Sequence, residues 1–301
     1  MINKKEIQKL MIEAIKSVRH SNPMAGSITN TVTINFVANA QLAVGGSAAM
    51  CYMPDECGFL AQAGAATYIN VGTIEPIYEQ TLPHTAKILH DMKKPWVLDI
   101  VAVGIGEFRT KALKLFKDYK PSIIRGNASE IIALAGMWGL EGGSDVSHVR
   151  GVDSTDPVMA SKDAAIALAR FTKGAIAVSG ETDLITDGSS IAYSYGGSHF
   201  MEKITGSGCS LGGVMAVYAT AAEPFIAALT AHAVYNLAGS KAEKTHWGLL
   251  VSRSVFWMNY IMLLLMISQT THSRSKQFSI IDLKFYSLQK GSVYNDCEGK
   301  A

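Results

Sequence analysis

The feature that most constrains this chain is an alternation: short apolar, β-rich runs recur between longer stretches rich in Ala and Leu. The runs lie at 66–71, 95–101, 122–125 and 175–179, each beside a helical stretch. That order is the signature of parallel βαβ units, in which each strand returns to the sheet through a helix. Trp96-Val97-Leu98-Asp99 and Ala175-Ile176-Ala177-Val178 are apolar without alternation. Strands that hide both faces read this way, so a central sheet covered by helices on both sides is expected. A segment at 186–200, rich in Gly, Ser and Tyr, reads as hairpin strands rather than a linker.

Composition narrows the class. A chain of 301 residues, 48% hydrophobic and 17% charged, can bury the core of one large domain. Its 27 basic and 25 acidic residues are interspersed, leave a net charge of +2 and form no basic stripe, so no nucleic-acid partner is expected. Ile7, Leu10, Met11, Ala14, Ile15 and Val18 recur at helical spacing with lysines between them, which predicts an amphipathic helix rather than a signal peptide. Cys51, Cys57, Cys209 and Cys297 include no CxxC pair and no zinc-type spacing, so neither a disulfide framework nor a structural metal is expected, and cytoplasm is the expected compartment. The eight histidines stand in no metal or nucleophile motif and read as surface or satisfied core residues.

Residues 1–244 read as one domain, and 245–301 as a tail of different character. Within the stretch at 247–268 the longest apolar run is interrupted by Asn259 and is shorter than the roughly 20 residues a membrane span requires, so no membrane partner is expected.

Polar residues gather where the predicted strands end: Asn70 and Gly72, Asp99, Arg125 and Asn127, Ser179 and Gly180. Ligands of open α/β sheets bind beyond those ends. Ile204-Thr205-Gly206-Ser207-Gly208-Cys209-Ser210-Leu211-Gly212-Gly213 precedes a helical stretch, and glycines before a helix leave backbone N–H groups free to surround an anion. The GxxxxGK[ST] phosphate loop is absent, and a GxGxxG fingerprint fails because its third glycine falls one position late, at Gly212. A glycine turn that only starts a helix is the alternative.

Cys209 opens that helix, where the dipole is expected to lower a thiol's pKa and suit it to take a proton from an alcohol while Gly206 and Gly208 hold a phosphoryl group. A buried, inert cysteine is the alternative. Asp99 and Glu130 lie in separate strand–helix loops and suit Mg²⁺ bound to nucleotide phosphates, whereas Glu130 as a helix cap or surface ion pair is the plainer reading. Arg125 carries a fork of donors suited to phosphate oxygens. Residues 27–39, read alone, form a capped helix start.

Taken in order, the segments SITNTVTINFVANAQLAVGGSAAM, AGAATYINVGT, VLDIVAVGIGEFRT, IIRGNASEI, RGVDS, IAVSGETDLITDG and ITGSGCSLGG resemble the hydroxyethylthiazole kinase family of the ribokinase-like superfamily, over residues 18–244. The resemblance implies a three-layer α/β/α sandwich, assembled as a homotrimer with thiazole sites at subunit interfaces. It implies MgATP-dependent phosphorylation of the hydroxyl of 4-methyl-5-(2-hydroxyethyl)thiazole in thiamine salvage. Met50 and Gly206 match substrate-contacting positions, Arg125 and Ser179 nucleotide-binding positions, and Asp99 and Glu130 the acidic pair around Mg²⁺ and phosphates. Cys209 falls where this family commonly has cysteine and other ribokinase-like enzymes have an aspartate base.

Three departures stand out. The family's DPVGAG is here Asp99-Ile100-Val101-Ala102-Val103-Gly104, and Ile and Ala are not expected to copy the backbone angles of the proline and glycine they replace. The family's usual Thr is Ser179, which keeps the hydroxyl. The family's Gly-Pro-Gly-Ser-Phe turn and last helix are missing from the tail. A kinase for a hydroxymethylpyrimidine or pyridoxal, and a non-catalytic homologue that only binds ligand, are the competing readings; Met50 and the SITN segment favour the thiazole.

The tail has a further property. Val255-Phe256-Trp257-Met258-Asn259-Tyr260-Ile261 must be encoded as gtn tty tgg atg aay tay ath. Reading two nucleotides later in each codon gives an apolar residue, Leu-Asp-Glu-Leu, then Tyr or His, which resembles the Leu-Asp-x-Leu-Tyr of the family's last helix. The tail therefore reads as that helix out of frame.

Overall fold

Lysines on one side and apolar residues on the other make Lys4–Ser21 (α1) a surface helix: Ile7, Met11, Ala14, Ile15 and Val18 are buried, as their spacing predicted, and Asn3 caps it by accepting from Glu6 N–H at 3.0 Å. The computed structural model describes residues 3–144, 157–244 and 283–287. The RGVDS match at 150–154 and the apolar run at 247–268 lie outside the described residues.

Among the described residues one sheet of nine strands organises the molecule. In chain order the strands are β1 (Met24–Ile28), β2 (Ser47–Met50), β3 (Ala66–Asn70), β4 (Trp96–Asp99), β5 (Ile123–Asn127), β6 (Ala175–Ser179), β7 (Asp183–Thr186), β8 (Ser190–Ser194) and β9 (Leu283–Ser287). Their spatial order is β2-β1-β3-β4-β5-β6-β7-β8-β9; the pairings from β2 to β6 are parallel and those from β6 to β9 antiparallel. The hairpin expected around 186–200 is β7–β8.

Helices α2 (Ile34–Ala43), α8 (Ser207–Ala219) and α9 (Pro224–Lys244) join α1 over one apolar cluster on one face. Helices α3 (Pro54–Ala63), α4 (Tyr78–Asp91), α5 (Glu107–Tyr119), α6 (Ala128–Met137) and α7 (Lys162–Thr172) cover the other. The fold is the expected three-layer α/β/α sandwich with a mostly parallel central sheet. Residues of β3, β4 and β6 are buried nearly throughout, which is why those strands read as unbroken apolar runs.

Three sequence expectations are corrected. Ser27 and Ile28 do not start a helix; they end β1, and α2 begins only at Ile34 with no side-chain cap on Thr33. Small residues disguised this strand; a Cβ on Gly26 would meet Leu60 Cβ at 3.4 Å, an ordinary contact. Second, Cys51 and Cys57 form a disulfide with their Cα atoms 5.5 Å apart. A six-residue separation is not a motif, yet the chain turns from the end of β2 straight into α3 and sets the two side chains together. Third, Ala102 adopts the left-handed φ of 57°. The alanine takes, with strain, a conformation that a glycine would take freely.

Among the described residues no helix is long and apolar enough to cross a membrane.

Candidate active site

Parallel pairing in register brings Asn70, Asp99 and Arg125 into one row across β3, β4 and β5, and Asn127 beside Ser179. Asn70, Asp99, Asn127 and Ser179 are the last residues of their strands, and Arg125 lies two residues before the end of β5. Asp99 is wholly buried, and its Oδ2 accepts from Tyr68 O–H at 2.7 Å and Asn70 Nδ2 at 2.8 Å. Its Oδ1 accepts from Arg125 Nη1 at 3.1 Å. Arg125 Nη2 donates to Ser179 Oγ at 3.3 Å, and its buried Nε has no hydrogen-bond partner. Burial alone would lower the guanidinium pKa; Asp99 first, then Glu130, Cys209 and Tyr68, outweigh it and hold the charge firmly. A fixed cation with an orphaned donor suits an anion.

Helix α8 begins at this row. Gly206 holds φ at 89° as its N-cap, and no side chain fills the cap. The Arg125 guanidinium lies so close to Gly208 that an added Cβ would stand 2.4 Å from Nη2, so only glycine permits the contact. Cys209, in the first turn, is half-buried, and its Sγ accepts from Asn70 Nδ2 at 3.3 Å and Asn30 Nδ2 at 3.6 Å. Asn30 is itself fixed, donating to Asn70 Oδ1 at 3.1 Å and accepting from Thr33 N–H at 3.1 Å. The expected dipole-lowered thiol is not what this setting produces. Burial and then the Asp99 carboxylate push the Cys209 thiol above its ordinary pKa, against the smaller opposing effects of Arg125, Thr33 and Asn30.

Glu130 is a helix cap and more. It forms a capping box on α6: Asn127 Oδ1 accepts from Glu130 N–H, and Glu130 Oε2 accepts from Asn127 N–H, both at 2.9 Å. Its Oε1 accepts from Ala102 N–H at 2.9 Å, so the strained loop after β4 is tied to the start of α6. Burial raises this carboxyl to about 7, although the two backbone N–H groups and Arg125 favour the charged form.

Two cavities meet at Arg125, Ser207 and Gly208. One of about 750 Å³ is lined by Asn30, Thr33, Glu130, Gly206 and Cys209, the other, of about 580 Å³, by Ser179, Gly180, Asp183 and Asn236. Arg125, Glu130, Gly206, Gly208 and Cys209 are thus brought together, with Ser179 next door. Asp99 lies beneath Arg125 and lines neither cavity. Met50 lines a third cleft, of about 530 Å³, with Cys51 and Phe59. Among the described residues no group of three or more His, Cys, Asp or Glu is placed to hold a metal ion. The sequence offers Asn30 and Tyr68 only as members of the matched segments SITN and AGAATYINVGT, without roles of their own, and His232 stands in no motif.

Comparison with known proteins bears on this geometry. A profile of the hydroxyethylthiazole kinase family matches residues 15–269. A hydroxyethylthiazole kinase of Bifidobacterium longum is 48% identical over 260 residues, covering 80% of this chain and 83% of the relative. In three dimensions the chain is similar to a hydroxyethylthiazole kinase of Pyrococcus horikoshii, with a TM-score of 0.78, 26% identity, and 93% and 100% of the two chains covered. A ribokinase-like protein of Enterococcus faecalis, at 13% identity and a TM-score of 0.60, shares the fold over 87% of this chain and 94% of its own.

Proposed function

The chain belongs to the hydroxyethylthiazole kinase family, and from that premise we propose that it transfers the γ-phosphoryl group of ATP to the hydroxyl of 4-methyl-5-(2-hydroxyethyl)thiazole, as part of thiamine salvage. The observation that carries the reading is Arg125: a buried cation with an unpartnered Nε, laid against Gly208, at the wall between two cavities. The nucleotide enters from the Ser179 side and the alcohol from the Cys209 side. The transferred group passes over the start of α8, where free N–H groups and the helix dipole stabilise its charge. Cys209 receives or orients the hydroxyl proton, and Asn30 and Asn70 hold its sulfur in line. Gly206 and Gly208 admit the phosphoryl group because neither has a side chain to fill the space.

Magnesium fits Glu130, whose carboxylate lines the alcohol-side cavity and retains acceptor capacity beyond its two backbone bonds. When bound, Mg²⁺ neutralises charge on the nucleotide phosphates. Asp99 serves from behind: its oxygens already hold Tyr68, Asn70 and Arg125, so its part in the acidic pair is to fix the arginine.

Met50 and Cys209 line different cavities of one chain. A homotrimer in which a neighbouring copy completes each thiazole site reconciles them. The edge strand β2 supports this: Phe59, 67% exposed, lines the same cleft as Met50 at the end of that strand.

The deciding experiment measures ADP release with the thiazole alcohol, a hydroxymethylpyrimidine and pyridoxal, beside equilibrium binding of each. Turnover confined to the thiazole supports the proposal. Preferential turnover of another alcohol transfers the chemistry to that substrate, and binding without turnover leaves a ligand-binding homologue.

A further inference from the structure

His232 is wholly buried on α9, beneath the wall of the nucleotide-side cavity, and the reaction described above does not use it. Its Nδ1 lies 3.1 Å from Ala228 O. A carbonyl can only accept, so Nδ1 carries the hydrogen, and in the neutral ring Nε2 is a bare acceptor. Two groups face Nε2: Ser179 Oγ at 3.4 Å and Asp183 Oδ1 at 3.8 Å. This Ser, His and Asp are not a hydrolytic triad, because the serine and the aspartate face the same ring nitrogen.

Asp183 cannot turn away. Gly180 N–H donates to its Oδ1 at 3.2 Å, and Asn236 Nδ2 donates to its Oδ2 at 2.7 Å while also donating to Ser194 Oγ. The bare Nε2 lone pair therefore looks at a carboxylate, and among the described residues its available donor is the Ser179 hydroxyl. Ser179 in turn accepts from Arg125 Nη2. With its proton turned to His232, Ser179 offers a phosphate in the cavity only a lone pair. A proton on Nε2 reverses this: the ring then donates toward Ser179 and Asp183, and the hydroxyl proton is free to turn to the phosphate.

We propose that His232 is a positioning residue for the nucleotide, which sets the direction of the Ser179 hydroxyl, and that binding of a nucleoside diphosphate takes up a proton from solvent at His232 Nε2. This rests on the reading of the Ser179 cavity as the nucleotide site. The charged groups facing the ring are Asp183 on β7 and Arg125 on β5. Burial lowers the His232 pKa most, and Arg125 lowers it further, while Asp183 and the bond to Ala228 raise it. The free protein thus holds a neutral ring, and an arriving anion shifts the balance towards the charged one. By linkage, a proton bound with the ligand makes the ligand bind more tightly as pH falls.

The test titrates ADP into the full chain calorimetrically, in two buffers of different ionisation enthalpy, between about pH 6 and about pH 8. ADP ionises in the same range, so the reading is the difference between the wild type and His232→Gln, whose amide donates to Ser179 permanently. The wild type is expected to take up more protons, by up to about one per ADP, and its Kd to rise by up to about tenfold per pH unit where His232 titrates. His232→Gln should keep its affinity at the higher pH and lose that slope. Ser179→Ala retains the histidine but breaks the path, and should lose the extra proton uptake as well; it supplies the same comparison if His232→Gln does not fold. Wild-type binding with the proton uptake of both variants overturns the role of His232 and leaves the nucleotide site standing. Failure of the wild type to bind ADP at all overturns the site, and the inference with it.

Discussion

Arg125 and Cys209 were both legible in the sequence, but their states were not. The sequence places a cysteine at a helix start and suggests a lowered pKa; the fold surrounds it with buried groups and the Asp99 charge, and the shift goes upward. The partners that decide this are far away in the chain: Asn30 and Asn70 stand 179 and 139 residues from Cys209. Cys209→Ala is expected to lower kcat by about 10²- to 10⁴-fold, with little change in thiazole affinity, the range for losing a positioned proton acceptor. Because the thiol is held above its ordinary range, the active thiolate grows with pH, so wild-type kcat should climb through the alkaline region and the variant should lack that limb. An unaltered kcat would remove Cys209 from the chemistry. Arg125 demands a gentler change, since truncation would strand the buried Asp99 carboxylate at a cost of about 3 to 5 kcal/mol. Arg125→Lys keeps the charge beside Asp99 and loses the fork. Its nucleotide Kd should rise by about tenfold, or 1.4 kcal/mol, with thiazole affinity unchanged. Equal nucleotide affinity in the two proteins would contradict the assignment.

At the level of elements, patterns with a clear period were readable and those without were not. Helix α1 and the strands β3, β4, β5 and β6 announced themselves through apolar spacing, whereas β1 and β2 are built, apart from Ile28, from Ala, Gly, Ser and Met and escaped notice. The loop after β4 shows the converse error, in which an alanine holds a backbone angle that the sequence suggested it would not adopt. Ala102 accepts a φ of 57°, and its N–H still reaches Glu130 Oε1 at 2.9 Å. The left-handed conformation costs an alanine roughly 1 to 2 kcal/mol. Ala102→Gly relieves that, but adds unfolded-state freedom worth about 0.4 to 1 kcal/mol and gives up a buried methyl worth about 0.8 kcal/mol. The two sides nearly cancel, so its unfolding free energy should stay within about 1 kcal/mol of the wild type. Ala102→Val puts a β-branched residue at the same angle and should destabilise by about 2 kcal/mol. Urea denaturation of the three proteins checks both statements; a valine variant as stable as the wild type would show that the loop is not held in this conformation.

For the whole molecule, we propose that the boundary that matters falls after α9. The sheet has two ends. At one lies the edge strand β2, where we propose that neighbouring copies meet; at the other, β8 is covered by β9, which comes from the tail. Tyr286 of β9 packs edge-on against Tyr193 with ring centres 5.8 Å apart, so part of the tail meets the domain. The family profile also runs on to residue 269. We nevertheless propose that the codons after about Thr245 are read out of frame, because Trp257 and Met258 each have a single codon and Leu-Asp-Glu-Leu follows from them and the fixed bases of their neighbours. No choice among synonymous codons was needed to obtain the motif. A segment read out of frame has no selected packing partner, and an apolar run such as Val255-Phe256-Trp257-Met258 then favours aggregation. Sequencing the coding DNA should show a one- or two-base insertion or deletion near the codons for Lys244 to Leu250 when set beside the gene of a relative. Restoring the frame should raise soluble yield and thiazole kinase turnover together. An alternative frame that meets stop codons just upstream of Val255 would sink the idea, and the tail with its strand β9 would then be a genuine addition to the fold.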